Sequence, residues 1–209
     1  MSARIDKVVT SGTFSLDGGT WDVDNNVWVI GDDNECVVVD ASHDAAAINE
    51  VVAGRRVLAI VCTHGHDDHI DAARDLAGLT GAPVWLHPDD RMLWDRVHPG
   101  HAPDADLVDG QQIAVGGTTL TVLHTPGHAP GACCLSAPAL AALFSGDTLF
   151  AGGPGATGRS FSDFDTIVGS IRDRLLTLPA DTVVHTGHGD DTSIGAEAAH
   201  VQEWLDRGH

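Results

Sequence analysis

The chain has 209 residues, 43% of them hydrophobic, and a formal net charge of −19 at pH 7. This length and apolar content predict one globular domain over residues 1–209. An acidic surface repels phosphate backbones, so we do not expect nucleic acid as a partner. The chain has no apolar run of the ~18 residues that a membrane span needs, and residues 1–19 lack a signal peptide's apolar core. We therefore expect a cytoplasmic protein without a membrane partner.

The order of the predicted elements is that of an α/β protein. In the first half, apolar patterns predict strands at 5–15, 20–31 and 35–40, a helix at 44–54, a strand at 57–62, a helix at 70–79, a strand at 83–87 and a helix at 89–97. In the second half they predict strands at 112–115, 118–124, 132–136 and 140–146, a helix at 163–177, a strand at 182–186 and a helix at 193–206. Ser42 or His43 precedes the first helix, and Ser162 is the predicted N-cap of the helix at 163–177.

The cysteines lie in strand-like apolar stretches, which predicts reduced, buried thiols in the cytosol rather than disulfides. Cys133 and Cys134 are adjacent, so in a strand their side chains would point to opposite faces. That placement disfavours a bond between them.

A cluster of potential metal ligands follows the apolar run at 57–62, in the segment 63–69, which reads THGHDDH. Imidazole and carboxylate groups both suit zinc and other first-row transition metals. A buried strand that ends in such a cluster presents it on a loop, where active sites usually lie. A solvated polar loop would explain one His or Asp, but not three His and two Asp together. The segment therefore predicts a metal site.

Further ligand-type side chains follow other predicted strands. In each case a short apolar run ends in a glycine-containing turn that carries one such side chain, and the turns read TPGH at 125–128, SGDT at 145–148 and TGHG at 186–189. Glycine allows the positive φ that such turns often need. A lone His or Asp in a turn is more often a cap or a hydrogen-bond partner. Together with the first cluster, these turns predict one site along one edge of a sheet sandwich.

The motifs THGHDDH, TPGHAPG, SGDTLF and TGHGDDTSIGAE occur in the order found in the metallo-β-lactamase superfamily. The chain resembles its glyoxalase II-like hydrolases in particular. This resemblance implies an α/β fold, the four-layer αβ/βα sandwich, with two mixed β-sheets flanked by helices. It also implies two divalent metal ions, zinc in the first place and iron or manganese as alternatives. On the family pattern the first metal would be held by His64, His66 and His128, the second by Asp68, His69 and His188, and Asp147 would bridge both.

The resemblance implies the hydrolysis of small thioesters by a metal-bridging hydroxide. Asp68 is the catalytic candidate, because one carboxylate oxygen would bind the second metal while the other held the proton of the hydroxide. A thiolate leaving group, with a pKa near ~8.5, needs little help from a general acid. Arg159 lies near the place where relatives carry a Gly-Arg pair. It would contact an anionic part of the substrate or pin the glycine-rich loop, and both interpretations stay open.

Departures from the family leave alternatives. The chain is long enough for only one helix after His188 and contains no Tyr, so neither the helical domain of glyoxalase II nor its conventional glutathione site is expected. The main rival is a mononuclear iron persulfide dioxygenase, which would use the equivalents of His64, His128 and Asp147. A non-enzymatic member is a third hypothesis, and the intact ligand set argues against it. The thiol carrier, the acyl group and the oligomeric state stay open.

Overall fold

The computed structural model describes residues 2–208, whose centre consists of two six-stranded β-sheets. The first sheet contains, in spatial as well as chain order, β1 (Arg4–Leu16), β2 (Gly19–Gly31), β3 (Glu35–Val39), β4 (Arg56–Val61), β5 (Val84–Leu86) and β6 (Ala105–Asp106). The second has the spatial order β14-β13-β10-β9-β8-β7 and comprises β7 (Gln112–Val115), β8 (Thr118–His124), β9 (Cys133–Ala137), β10 (Ala142–Gly146), β13 (Val183–Thr186) and β14 (Thr192–Ser193). Between β10 and β13 a small hairpin joins β11 (Leu149–Phe150) to β12 (Gly153–Pro154).

Both sheets are mixed. In the first, β1, β2 and β3 pair antiparallel, whereas β3, β4, β5 and β6 pair in parallel. In the second, β10 and β13 are parallel and the remaining pairs are antiparallel. The strands whose ends carry the predicted ligands therefore lie inside their sheets, where the backbone is held on both sides.

Helices cover the outer face of each sheet. The first sheet is accompanied by α1 (Ala45–Val52), α2 (Asp67–Ile70), α3 (Ala73–Thr80) and α4 (Arg91–Val97), with a 3₁₀ turn at Pro88–Asp90. The second is accompanied by α5 (Phe164–Ser170), which continues as a π-helical segment at Ile171–Leu175, by α6 (Ile194–Ala198) and by α7 (Val201–Arg207), and a 3₁₀ turn occupies Pro138–Leu140.

The core has three apolar layers, and alternation along β2 illustrates how they arise. Val27 and Val29 face α1 and α3, whereas Trp28 and Ile30 face the second sheet. A third cluster joins the outer face of the second sheet to α5 and α7, where Trp204 is buried. Strands covered on both faces read as nearly continuous apolar runs, which explains the run in β4. The predicted four-layer αβ/βα sandwich with two mixed sheets is confirmed.

Several element boundaries differ from the prediction. The end of the ligand motif forms α2, a helical turn rather than a loop, and a break separates it from α3. The helix predicted at 193–206 is two helices, α6 and α7, because the chain turns at His200. Neither break has a Gly or Pro at the turn that would have signalled it in the sequence.

The predicted N-cap of α5 is wrong, and α1 begins at a cap that was not predicted from the sequence. The N-cap of α5 is Asp163, whose carboxylate accepts the N–H of Thr166, since the hydroxyl of Ser162 donates to the carbonyl of Arg159 instead. The N-cap of α1 is Asp44, which accepts the N–H groups of Ala46 and Ala47. A carboxylate is stabilised by the partial positive charge at a helix N-terminus.

The cysteines of the second sheet lie as expected, with Cys133 between the sheets and Cys134 under the helices of the opposite face. All the cysteines are buried and unbonded to one another. Within residues 2–208 we find no helix whose length and apolar character would let it cross a membrane.

Candidate metal centre

The predicted ligands converge at one edge of the sandwich, because four strands end there. His64 and His66 follow β4, and Asp68 and His69 lie in α2 directly afterwards. The other three come from the second sheet, where β8 leads to His128, β10 to Asp147 and β13 to His188. All seven predicted ligands belong to three overlapping groups of candidate metal ligands. His69 and His188, which are 119 positions apart in the chain, thus meet in one place.

One half of the site is a group of three imidazoles. Nδ1 of His66 lies 3.0 Å from Nε2 of His64 and 3.0 Å from Nε2 of His128. The rings stand nearly perpendicular to one another, with interplanar angles of 80–86°. Burial lowers the pKa of His66 to about 3 and also lowers the pKa values of His64 and His128. These rings are therefore neutral, the form that binds metals.

The other half combines two imidazoles with a carboxylate. Nε2 of His188 lies 3.2 Å from Nε2 of His69 and 3.2 Å from Oδ2 of Asp68. Asp147 lies between the halves, since its Oδ1 is 3.4 Å from Nε2 of His69 and its Oδ2 is 3.6 Å from Nε2 of His128. This position is the one expected of a bridging ligand.

The charges in the second half reinforce one another. Burial lowers the pKa of His188, but Asp147 and Asp68 outweigh it and raise the pKa to about 10. Burial opposes ionisation of Asp68, yet His69 and His188 lower its pKa to about 2. The pKa of Asp147 is likewise held well below its usual range by His69 and His188, against the effect of burial. The two carboxylates are therefore ionised at neutral pH and create a field that attracts a cation.

Hydrogen bonds outside the site determine which ring nitrogen faces it in four of the five histidines. Nδ1 donates to Oδ2 of Asp40 in His69, to the carbonyl of Asp24 in His188, to the carbonyl of Ala156 in His128, and to the hydroxyl of Thr63 in His64. Each of these rings thus turns its Nε2 inwards, where that nitrogen either carries a proton or binds a cation.

The arrangement fits metal ions on grounds of its own hydrogen bonding. Inward-facing lone pairs 3.2 Å apart, as in His69 and His188, repel each other unless a proton or a cation lies between them. Among residues 2–208, the buried Oδ1 atoms of Asp68 and Asp147 have no hydrogen-bond partner. Nitrogen and carboxylate donors together suit zinc, iron or manganese.

Asp40 belongs to the candidate site but is not among the residues predicted from the sequence. Its Oδ1 accepts the N–H of Thr63 at 2.7 Å, and its Oδ2 accepts the Thr63 hydroxyl at 2.8 Å as well as Nδ1 of His69. It therefore holds both the start of the ligand segment and one of the ligands. The available signal was a charged residue at the end of the apolar run of β3, the same pattern that revealed the ligands.

Asp90 joins two ligand-bearing turns. Its buried carboxylate accepts the N–H of Gly65 at 2.8 Å and that of Gly131 at 2.6 Å. A Cβ at either glycine would press against Asp90, so both positions need glycine for this close approach. Gly65 separates His64 from His66, and Gly131 follows His128 by three residues. No local pattern in the chain indicates this link, because it depends on packing between distant segments.

A cavity of about 290 Å³ opens above the site. It is lined by Phe14, Trp21 and Val23 from the β1–β2 hairpin, by Phe150 and Arg159, and by several of the candidate ligands. Such a volume lies near the lower end of the range for small-molecule sites. Several of the candidate ligands are therefore exposed to this cavity.

The hairpin and the glycine-rich loop meet over this cavity. At the hairpin tip, Oδ2 of Asp17 accepts the N–H of Ser160 at 2.9 Å. The guanidinium of Arg159 lies 3.9 Å from the ring centre of Trp21 and 5.7 Å from that of Phe14. Phe14 in turn packs against the ring of His66, with 5.1 Å between ring centres.

The sandwich architecture and the His/Asp cluster at its edge are those of the metallo-β-lactamase fold. The chain belongs to the metallo-beta-lactamase superfamily, whose family model matches residues 20–188. Members of this superfamily usually are hydrolases, and the fold binds divalent metals.

Individual relatives include enzymes of known class. The chain is 33% identical over 191 residues to hydroxyacylglutathione hydrolase GloC of Haemophilus influenzae. The aligned region covers 85% of this chain and 86% of the relative. Similar solved structures include the B3 metallo-beta-lactamase BLEG-1, with a TM-score of 0.78, 31% identity and coverage of 91% of this chain and 97% of the other. TTHA1623 in a di-iron-bound form has a TM-score of 0.72, 33% identity and coverage of 84% and 93%. ETHE1 from Myxococcus xanthus has a TM-score of 0.72, 25% identity and coverage of 93% and 83%.

Proposed function

We propose that this protein is a dinuclear metal-dependent hydrolase that cleaves small thioesters, such as hydroxyacyl or acyl adducts of a thiol. The observation that carries the proposal is the second ligand group of Asp68, His69 and His188 beside the three imidazoles of the first. A mononuclear site has no joint use for that second group. The similarity to GloC supports a thioester substrate, and the di-iron form of TTHA1623 supports two metals.

Two bound divalent cations would lower the pKa of a shared water and polarise the substrate carbonyl. We propose that His64, His66 and His128 hold one of them, that Asp68, His69 and His188 hold the other, and that Asp147 bridges both. Zinc is our first choice, with iron or manganese as alternatives.

Asp68 is the proposed catalytic residue. Its Oδ2 faces His188, whereas its Oδ1 is buried without a hydrogen-bond partner and is available to accept a proton from water. With a pKa of about 2, Asp68 is ionised and can serve as this acceptor at neutral pH. Among residues 2–208 the only carboxylates that line the cavity are Asp68 and Asp147. A thiolate, with a pKa near ~8.5, departs without a further acid, which favours a thioester.

We also propose that Arg159 binds an anionic group of the substrate. Within residues 2–208 its guanidinium stacks on aromatic rings and forms no ion pair or hydrogen bond, so its donors stay free towards the cavity. With a net charge of −19, the protein as a whole repels nucleic acid. Arg159 nevertheless provides a local positive charge that suits a small anion. A small thioester with a carboxylate on its thiol part fits both features. A cytoplasmic location stays a prediction.

The proposal is tested by metal analysis together with turnover. Protein loaded separately with zinc, iron and manganese is assayed for hydrolysis of S-lactoylglutathione and for oxygen consumption with glutathione persulfide. We expect about two metal ions per chain and thioester hydrolysis. A single iron together with persulfide-dependent oxygen consumption would replace the proposal by the dioxygenase, the alternative to which the similarity with ETHE1 points.

The role of Arg159 has its own test. Arg159→Gln should raise KM for S-lactoylglutathione about tenfold, since a charge-assisted hydrogen bond is lost. An uncharged N-acetylcysteamine thioester should be hydrolysed as before. Arg172→Gln, which removes an exposed arginine paired with Asp173, is the matched control. An equal loss for both substrates would mean that Arg159 only orders the loop.

A further inference from the structure

A chain of hydrogen bonds runs from the protein surface to the proposed catalytic carboxylate through residues that are not metal ligands. Oδ2 of Asp71 lies 2.9 Å from Nδ1 of His43, whose Nε2 lies 2.9 Å from Oδ1 of Asn25. Nδ2 of Asn25 donates to Oδ2 of Asp68 at 3.0 Å. Asn25 is fully buried, and the side chain of His43 is 5% exposed. These hydrogen bonds therefore reach the site through the protein interior.

The chemistry of its members sets the direction of each bond. An ionised Asp68 only accepts hydrogen bonds, so the NH₂ group of Asn25 must face it. The carbonyl oxygen of Asn25 therefore faces His43 and needs a donor there.

The two nitrogens of His43 both face acceptors. Nε2 faces the amide oxygen of Asn25, and Nδ1 faces the carboxylate of Asp71. A neutral imidazole has one donor and one acceptor nitrogen and satisfies only one of these contacts, whereas an imidazolium satisfies both. Asp71 supplies the compensating negative charge, and its side chain is 36% exposed.

The backbone and side-chain contacts of His43 hold its ring in place. Its φ is +59°, in the left-handed region that residues other than glycine rarely adopt. The N–H of His43 donates to Oδ1 of Asp71 at 2.6 Å, so one carboxylate holds both backbone and ring. Gly12 on β1 lies against the ring, and a Cβ there would overlap it.

We propose that His43 is a positioning residue: as a buried imidazolium paired with Asp71, it fixes the amide of Asn25 so that its NH₂ group donates to Oδ2 of Asp68. That donation leaves Oδ1 of Asp68 as the free oxygen. If the side-chain amide of Asn25 rotated by about 180°, its carbonyl oxygen would face the carboxylate of Asp68 and repel it. The effect on turnover rests on the hydrolase function proposed above, but the protonation of His43 does not.

The first test measures protons on His43 directly. The zinc-loaded, full-length protein labelled with ¹⁵N-histidine is examined by ¹H–¹⁵N NMR at neutral pH, and the signals of His43 are assigned from their loss in His43→Gln. We expect both ring nitrogens to carry slowly exchanging protons. A ring protonated only at Nδ1 would overturn the proposal, because Asn25 would then present its NH₂ group to His43.

The second test separates kcat from KM. His43→Leu should lower kcat for S-lactoylglutathione about tenfold, the cost of weakening a hydrogen bond to a charged group, with KM and metal content nearly unchanged. His43→Gln keeps an N–H donor and should recover part of the loss. His200→Leu, at an exposed histidine paired with Glu203, is the control and should act like the wild type. An unchanged kcat in His43→Leu would refute the positioning role.

A variant that retains the imidazole covers the case in which His43→Leu does not fold. Gly12→Ala displaces the ring without removing it, and we expect a similar fall in kcat and faster exchange of the ring protons. If the wild type shows the doubly protonated ring but no thioester hydrolysis, the proposed function fails while the hydrogen-bond assignment stands. If it hydrolyses the thioester with a singly protonated His43, the hydrogen-bond assignment fails while the proposed function stands.

Discussion

Oδ2 of Asp40 lies 3.0 Å from Nδ1 of His69, and this contact determines that Nε2 is the ring nitrogen that points to the candidate metal site. Asp40 is buried and adopts a left-handed backbone conformation, with φ of +57°. Such conformations cost free energy and persist where the surrounding structure requires them. A carboxylate behind a ligand histidine sets its tautomer and raises its basicity.

Replacing this carboxylate should therefore weaken metal binding. We expect Asp40→Asn to lower the affinity of the second metal about 10–100-fold, because the amide no longer holds Nδ1–H of His69 as strongly. Titration with zinc against a competing chelator measures the change. Asp173→Asn, at an exposed ion pair with Arg172, provides the control. Equal affinities in Asp40→Asn and the wild type would contradict this role.

The two carboxylates of the site should respond differently to the same substitution. Asp147→Asn should weaken both metals, since a neutral amide is a poor bridge between two cations. Asp68→Asn should weaken the second metal only and lower kcat more than it raises KM, because the proton acceptor is lost. Metal content and steady-state kinetics, measured on both variants, distinguish them. Near-normal kcat in fully loaded Asp68→Asn would show that Asp68 does not accept the proton.

Asp90 should make stability depend on pH. Burial raises the pKa of Asp90 to about 6, although the N–H groups of Gly131 and Gly65 act in the opposite direction. In an unfolded chain its pKa is ~3.9, so the folded state binds this proton more tightly. The group therefore favours folding most below about pH 4 and loses that contribution as the pH rises through about 6.

The comparison with Asp90→Asn isolates this effect, because asparagine does not titrate. The free energy of unfolding of the wild type, relative to that of the variant, should fall between pH 4 and 7 by an amount on the order of 1–3 kcal/mol. Urea unfolding of the metal-free proteins gives this difference at each pH. Asp90→Asn should also lower metal affinity at neutral pH, since its NH₂ group would face the N–H of Gly65 or Gly131. A difference independent of pH would contradict the raised pKa.

Removal of metal should separate activity from folding. Metal binds the folded site far better than the unfolded chain, so it should add on the order of a few kcal/mol at saturation. The apolar layers of the sandwich do not depend on it. We expect strong chelation to abolish thioester hydrolysis and to lower Tm, while the circular dichroism spectrum stays that of a folded protein. Zinc should restore both properties, and activity that survives verified metal removal would exclude the proposed chemistry.

Most strands and the set of candidate ligands follow from local sequence. Strands covered on both faces read as apolar runs, so the predicted positions of β4, β8, β10 and β13 nearly match the observed ones. The break in the helix predicted at 193–206 has no local signal and was missed. The sequence predicted Ser162 as the N-cap of α5, whereas the structure has Asp163 at that position. Both residue types cap helices, so only the fold decides at which of them the helix begins.

The sequence by itself determined the fold class and the residue types available to the site, since strand periodicity and the spacing of ligands such as His64, His66 and His69 are properties of short segments. Only the tertiary structure decided which atom of each histidine faces inwards, because that choice depends on acceptors such as Asp40 that come from other elements. The same holds for Asp90 and for the chain through His43 and Asn25. Hydrogen bonds are short and directional, so contacts between distant segments exist only once packing has set their positions.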